Sequence, residues 1–328
     1  MKLIQKAFVK HAKLALADAD SFQKFKVRDD SGALLSEVLK TRDGENYVYS
    51  IASHLLLTSN QEGRISFAQL IDGETYPVNL ADCWAMKFLS ISYMEQDLLK
   101  SGEQAQWKPD CFENIRTYRI PSDVNYLAFA VWKLYCMGES SAIERAIHLF
   151  SLFDVRQDVT CMGWTIEQLQ AYEVSVSLSL FIGRGKGDAQ TAERLLGAIP
   201  IFKDIAQFWE DDVAFTSFTE RAAQWHFDYS VKNWGEDWAF AASSNEVLIP
   251  SWVLALDLFR QKQLGRPSCL GSHELLALGL ELISLARSQN HPKLPALVAA
   301  QQHYDELFGK EMFNPVPFWE KFLGLESS

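Results

Sequence analysis

The chain has 328 residues and a formal net charge of −11 at pH 7, with 48% hydrophobic and 22% charged residues. This composition is typical of a folded globular protein and excludes an intrinsically disordered chain. The length allows one large domain or two closely packed ones, and the ten Trp and twenty-one Phe residues predict an aromatic core.

The N-terminal stretch MKLIQKAFVKHAKLALADAD looks at first like a secretory signal, because ALADA resembles a cleavage site. Lys6, Lys10 and Lys13 interrupt the part that a signal keeps apolar. No run in the chain reaches the roughly eighteen apolar residues of a membrane span. The five cysteines are widely spaced and form no CxxC pair, which is typical of buried thiols in a reducing compartment. We therefore expect a cytoplasmic protein without a membrane partner.

Helical signals dominate the rest of the chain. Segment 77–102 has a capping Asn79 and a terminal Gly102, and segment 123–138 ends at Gly138. Further helices are predicted over 139–154, 165–183, 189–199, 249–265 and 273–288. Short turns between successive helices predict an all-α fold of stacked antiparallel hairpins, forming one compact or loosely solenoid-like body. Within it, residues 1–76 are interpreted as an N-terminal helical layer and residues 77–328 as the main domain.

Two stretches alternate in a way that also suits strands. GRISFAQLIDGETYPV (63–78) allows a short β-hairpin. VSVSLSLFI (174–182) has β-branched residues with a period of two, but its neighbours are helical and no partner strand is visible, so a helix is favoured there.

The negative charge is concentrated in one part of the chain. Residues 204–246 contain nine acidic residues against Arg221 and Lys232, a local charge of −7, whereas residues 1–42 have a local charge of +4. An acidic field repels nucleic acid and attracts basic partners. The pattern therefore predicts a protein that binds a basic protein and not a nucleic acid.

Motifs for catalysis or cofactor binding are incomplete. In GRGKG at 183–187, Lys186 is followed by Gly187 and Asp188, whereas a P-loop requires Ser or Thr directly after its lysine. The seven histidines form neither HExxH nor a cluster with cysteines at ligand spacing. WEDD at 209–212 superficially resembles the aspartate-rich motif of class I terpene synthases, but the third carboxylate is missing. We predict no catalytic residues, no metal site and no cofactor.

The stretch QWHFDYSVKNWGEDW (224–238) places its aromatic rings on two sides of a helix, as in a bundle core. His226 and Ser230 fall on one polar side and Asp228 on the other. Carboxylates before and after this stretch would then frame aromatic edges, an arrangement suited to docking a basic partner. The predicted partner-binding residues are Trp209, Glu210, Asp211, Asp212, Asp228, Glu236, Asp237 and Trp238. The alternative is a solvated acidic face without a partner.

Residues 120–270 also resemble the C-terminal half of the large helical immunity proteins of bacterial polymorphic toxin systems. The matching positions are His226, Tyr229 and Trp234, followed by Leu254, Ala255, Gly265 and Pro267. A second toxin-immunity family, with a KNW motif, resembles Lys232, Asn233 and Trp234. The resemblance implies a cytoplasmic protein that binds and neutralises a cognate toxin domain, and many such toxins are basic nucleases.

The function predicted from the sequence is therefore that of a non-enzymatic immunity protein, which occludes the active or substrate-binding surface of a basic toxin. Two alternatives stay open: a helical-repeat scaffold with a concave groove, and an all-α enzyme with a pocket near His226.

Overall fold

In the computed structural model of the protein, the described residues are 9–26, 47–74, 78–105, 130–139, 200–203, 205–232 and 247–308. Helices account for 81% of the described residues, and none of these residues lies in a β-strand. The predicted all-α fold is therefore confirmed. The stacking of antiparallel hairpins stays a prediction, as does the division into 1–76 and 77–328.

The α-helices with both ends in the described ranges are α1 (Val9–Lys26), α2 (Tyr47–Asp72), α3 (Leu80–Ala105), α4 (Ile205–Phe208), α5 (Asp212–Lys232), α6 (Ser251–Leu264), α7 (Glu274–Ser288) and α8 (Pro295–Phe308). Residues 130–136 are also helical, and a 3-10 helix covers Pro200–Phe202. None of the helices in these ranges combines the length and apolar character needed to pass through a bilayer.

The chain divides into two compact units. Unit 1 contains residues 1–130 and 282–311, and unit 2 contains residues 131–281 and 312–328. Among the described residues, the boundaries between the units fall after residue 130 and, within α7, after residue 281.

The hairpin considered for residues 63–78 is wrong, because α2 runs through residue 72 as one helix. Its apolar residues in this stretch are buried on more than one side: Ile65, Phe67, Ala68 and Ile71 are each at most 4% exposed. A helix buried nearly all round loses the one-sided pattern that distinguishes it from a strand. Gly63 permits a close approach to α3, since a Cβ there would lie 3.3 Å from Cys83 Cβ.

Helix α3 begins directly after Asn79, as predicted. The Asn79 carbonyl accepts hydrogen bonds from the N–H groups of Asp82 (3.0 Å) and Cys83 (3.3 Å). The Asn79 side chain has another role: its Nδ2 donates to the His291 carbonyl oxygen over 2.8 Å, tying α3 to the α7–α8 connection. The predicted helix end at Gly102 is wrong, because α3 continues to Ala105.

The core of unit 1 joins α2, α3 and α8. Tyr93 is 0% exposed, and its ring meets that of Tyr304 edge-on, with centroids 5.1 Å apart. The Tyr93 hydroxyl donates to the Ala300 carbonyl oxygen (2.8 Å) and lies 2.7 Å from His303 Nδ1. Because a hydroxyl has one proton to donate, His303 Nδ1 must be the donor in the second bond. The residues of this core are Ile51, Ala52, Leu55, Val78, Cys83, Met86, Leu89, Tyr93, Leu297, Ala300 and Tyr304.

Asp82 is a buried carboxyl in the first turn of α3. Its side chain is 5% exposed, and Oδ2 accepts a hydrogen bond from the Leu294 N–H over 2.8 Å. Burial raises the pKa of Asp82, while the Leu294 N–H and the Lys293 charge act in the opposite direction. A carboxyl whose pKa is higher in the folded state binds its proton more tightly there. Protonated Asp82 therefore stabilises the folded state at low pH, and this stabilisation is lost as the pH rises above about 4.

We expect the change in the free energy of unfolding that Asp82→Asn causes to be more positive at pH 7 than at pH 4. Asparagine keeps an oxygen that can accept from Leu294 and has no charge to desolvate. Urea titrations of both proteins at the two pH values measure the difference, and Asp72→Asn at the exposed end of α2 is the control. Equal effects of Asp82→Asn at both pH values would contradict the expectation.

In unit 2, the two predicted helix ends that lie in the described ranges are confirmed. Gly138 has φ 105° after the helical residues 130–136, and Gly265 is the left-handed C-cap of α6, with φ 65° and its N–H bonded to the Gln261 carbonyl oxygen. Only a residue without a Cβ adopts this backbone conformation without strain. The predicted helices 139–154 (apart from Glu139), 165–183 and 189–199, and the stretch 174–182, lie outside the described residues.

Candidate partner-binding surface

Helix α5 begins in a short acidic stretch, residues 209–213, and Asp211 is its N-cap. Asp211 Oδ1 accepts hydrogen bonds from the backbone N–H groups of Val213 (2.9 Å) and Ala214 (3.0 Å). These bonds satisfy donors that the first turn of a helix leaves without partners, and carboxylates suit the positive end of the helix dipole. Glu210, Asp211 and Asp212 are all exposed. The local sequence thus places three exposed carboxylates at one helix end.

Two arginines from outside the acidic segment bind this stretch. Arg260 of α6 donates through Nε to the Trp209 carbonyl oxygen (2.6 Å), and its Nη2 lies 2.5 Å from Asp212 Oδ1. Arg266 donates through Nη1 to the Glu210 carbonyl oxygen and lies 3.4 Å from Asp212 Oδ1. The local charge of segment 204–246 is therefore partly balanced by cations that are distant in sequence.

The Arg260–Asp212 ion pair is half buried. The Arg260 side chain is 0% exposed and that of Asp212 is 54% exposed. The Arg260 guanidinium carbon lies 4.5 Å from the centroid of the Phe215 ring, and Nη1 has no hydrogen-bond partner among the described residues. The hydrogen bond from Arg260 lowers the pKa of Asp212, and the positive charges of both arginines act in the same direction. Asp212 therefore stays ionised at neutral pH, and the pair is lost only in acid.

Trp209, predicted as a partner-binding residue, lies in the core of unit 2. It is 3% exposed, and its indole N–H donates to Gln263 Oε1 over 2.9 Å. Its ring meets the Phe215 ring edge-on, with centroids 5.6 Å apart. The exposed apolar side chain of the acidic stretch is that of Val213, which is 80% exposed. The buried Trp209 ring thus attaches the acidic stretch to the core, and Val213 is its apolar side chain that is exposed to solvent.

The side of α5 predicted to be polar is partly buried. His226 and Ser230 are each 0% exposed, and the Ser230 hydroxyl donates to the His226 carbonyl oxygen over 2.6 Å. Asp228, on the other side, is exposed as expected and accepts a hydrogen bond from Gln224 Nε2 over 2.8 Å. Residue type alone misassigns the first face, because a buried polar group is tolerated when its hydrogen bonds are made inside the protein.

His226 is held by Trp252 of α6. The Trp252 indole N–H donates to His226 Nδ1 over 3.1 Å. An indole nitrogen can only donate, so Nδ1 must accept and a neutral His226 ring has its proton on Nε2. The pocket considered for an enzyme at His226 would have to form around this fully buried ring. In the structure, the contact serves to pack α5 against α6.

The turn that follows α6 is hydrogen-bonded both to α6 and to α5. Asp257, 2% exposed, accepts hydrogen bonds from Ser268 Oγ (2.8 Å) and from the Cys269 N–H (3.0 Å). Glu220 Oε1 accepts from both the N–H and the hydroxyl of Ser272, each over 2.9 Å, and the Ser272 N–H is the main reason that the pKa of Glu220 is lowered. These bonds fix the position of Arg266, which precedes Ser268 in the same turn.

A side chain at position 271 would displace Glu220, which binds this turn to α5. A Cβ added at Gly271 would lie 2.0 Å from Glu220 Cγ and 2.7 Å from Glu220 Cδ. We expect Gly271→Ala to lower the free energy of unfolding by about 1–3 kcal/mol, because Glu220 must leave its bonds to Ser272. A double-mutant cycle with Glu220→Ala, measured by urea titration of the four proteins, checks the cause. The glycine substitution should cost less when Glu220 is already truncated, and strictly additive costs would contradict the steric explanation.

The predicted residues Glu236, Asp237 and Trp238 lie outside the described residues, so their position relative to α5 stays a prediction. Sequence reasoning missed Arg260 and Arg266, which hold the acidic stretch. A signal for Arg260 was present: Asp257 and Arg260 are the two charged residues of the apolar segment 252–260 in α6 and are three positions apart, and charges within such a segment usually have partners. Val213 gave no signal, because its exposure depends on the way α5 is packed.

Comparison of the chain with protein-family models, with curated proteins and with solved structures found no match. In the described ranges, no three His, Cys, Asp or Glu side chains are grouped as a metal site requires.

Proposed function

We propose that the protein is a cytoplasmic immunity protein that binds a basic bacterial toxin domain and occludes its active or substrate-binding surface. The proposal rests mainly on one observation: Glu210, Asp211 and Asp212 are all exposed at the start of α5, directly before the exposed Val213. The resemblance of residues 120–270 to helical immunity proteins supplies the class of partner. Charge on both partners would steer their encounter, and contact area would then hold the complex.

The carboxylates of the surface differ in their availability. Asp212 is paired with Arg260 and Arg266, and Asp211 uses Oδ1 to cap α5. Glu210 contributes only its backbone carbonyl to the bonds with Arg266, so its carboxylate is the most available charge of the stretch. Asp228, which is exposed on the same helix, adds a fourth charge. In the proposal, these groups produce the attractive field.

The backbone of the acidic stretch is held in place before any partner arrives. Arg260 binds the carbonyl oxygen of Trp209, Arg266 binds that of Glu210, and the Trp209 ring is buried. A surface that is already ordered loses less conformational entropy on binding, which favours affinity. Trp209 therefore supports the proposed surface from within, while Trp238 stays the predicted aromatic contact.

The test begins with the genes next to that of the protein: where one of them encodes a toxin domain, that domain is purified and mixed with the full chain. We expect the double substitution Glu210→Lys and Asp228→Lys to reduce the association rate constant about tenfold at low ionic strength. The reduction should shrink at about 0.5 M salt, where exposed charges are screened. Stopped-flow fluorescence at several salt concentrations gives both values, and protection of growing cells from the toxin gives the biological effect.

The matched control is Glu281→Lys with Asp305→Lys, which changes the net charge equally at exposed positions of α7 and α8. If both double variants slow association equally, the effect is one of net charge and the proposed surface is wrong. If the protein neither binds the neighbouring toxin domain nor protects cells from it, the immunity function is wrong.

A further inference from the structure

We draw no further inference here: the strongest candidate, the exposed acidic N-terminus of α5 with the buried Arg260 guanidinium behind it, belongs to the surface already described, and no second feature of the described residues points to a separate ligand there.

Discussion

Replacing Trp252 with alanine is expected to lower the free energy of unfolding of the protein by about 4 kcal/mol. Trp252 is 0% exposed, and its ring lies edge-on to Phe202 and Trp225 at centroid distances of 5.6 and 5.9 Å. Alanine would leave a large cavity between α5, α6 and the Pro200–Phe202 turn, and would remove the donor that binds His226. Urea titration followed by far-ultraviolet circular dichroism measures the loss.

Two further variants separate the causes of this loss. Trp252→Phe keeps most of the ring volume and removes the N–H. It should lower the free energy of unfolding by about 1–3 kcal/mol, because the buried acceptor on His226 loses its donor and a small gap forms. Trp225→Ala removes an equally large ring from a position that is only partly buried, and should cost less than Trp252→Ala. If Trp225→Ala lowered the free energy of unfolding as much as Trp252→Ala, the deeper burial of Trp252 would not explain its importance.

Replacing Arg260 with alanine should lower the free energy of unfolding by about 3 kcal/mol. The substitution removes the donor to the Trp209 carbonyl oxygen, the partner of Asp212 and the group that packs on the Phe215 ring. The aliphatic part of a buried arginine contributes packing and its guanidinium contributes charge and hydrogen bonds, so the two losses add. Chemical denaturation of the full chain, with circular dichroism as the signal, measures the change.

Arg260→Met and Arg266→Ala are the controls for the Arg260 prediction. Methionine fills much of the space without a charge, so its cost should be smaller than that of alanine, because burying Arg260 requires desolvation that methionine avoids. Arg266 is 41% exposed, and its loss should cost at most about 1 kcal/mol, as for other exposed ion pairs. If Arg266→Ala were as costly as Arg260→Ala, burial would not explain the importance of Arg260.

Much of the helical fold could be predicted because its signals are local. Gly138 and Gly265 end helices where a left-handed residue is needed, and Asn79 precedes α3. The prediction failed where these local signals were absent or misleading. α2 is buried nearly all round and so shows no clear stripe, and Gly102 lies within α3 without ending it. Neither outcome follows from residue type alone, because both depend on what the neighbouring helices cover.

The candidate surface was predictable in its charge and not in its packing. Sequence identified Glu210, Asp211, Asp212 and Asp228, all of which are exposed. It offered Trp209 as an anchor, although the ring is buried against Phe215. A tryptophan suits both a core and an interface, since its large ring favours burial in either. Only its neighbours decide between the two positions.

By itself, the sequence determined that the chain is helical and that its acidic residues are concentrated in segment 204–246. These properties follow from backbone preferences and from counts of charge along a short stretch, so no distant residue is needed to establish them. The tertiary structure alone decided that Arg260 and Arg266 bind the acidic stretch, that His226 is buried under Trp252, and that Val213 is exposed. These properties result from packing between α5, α6 and the turn that follows α6, and such contacts join residues that are about 25 to 55 positions apart in the chain.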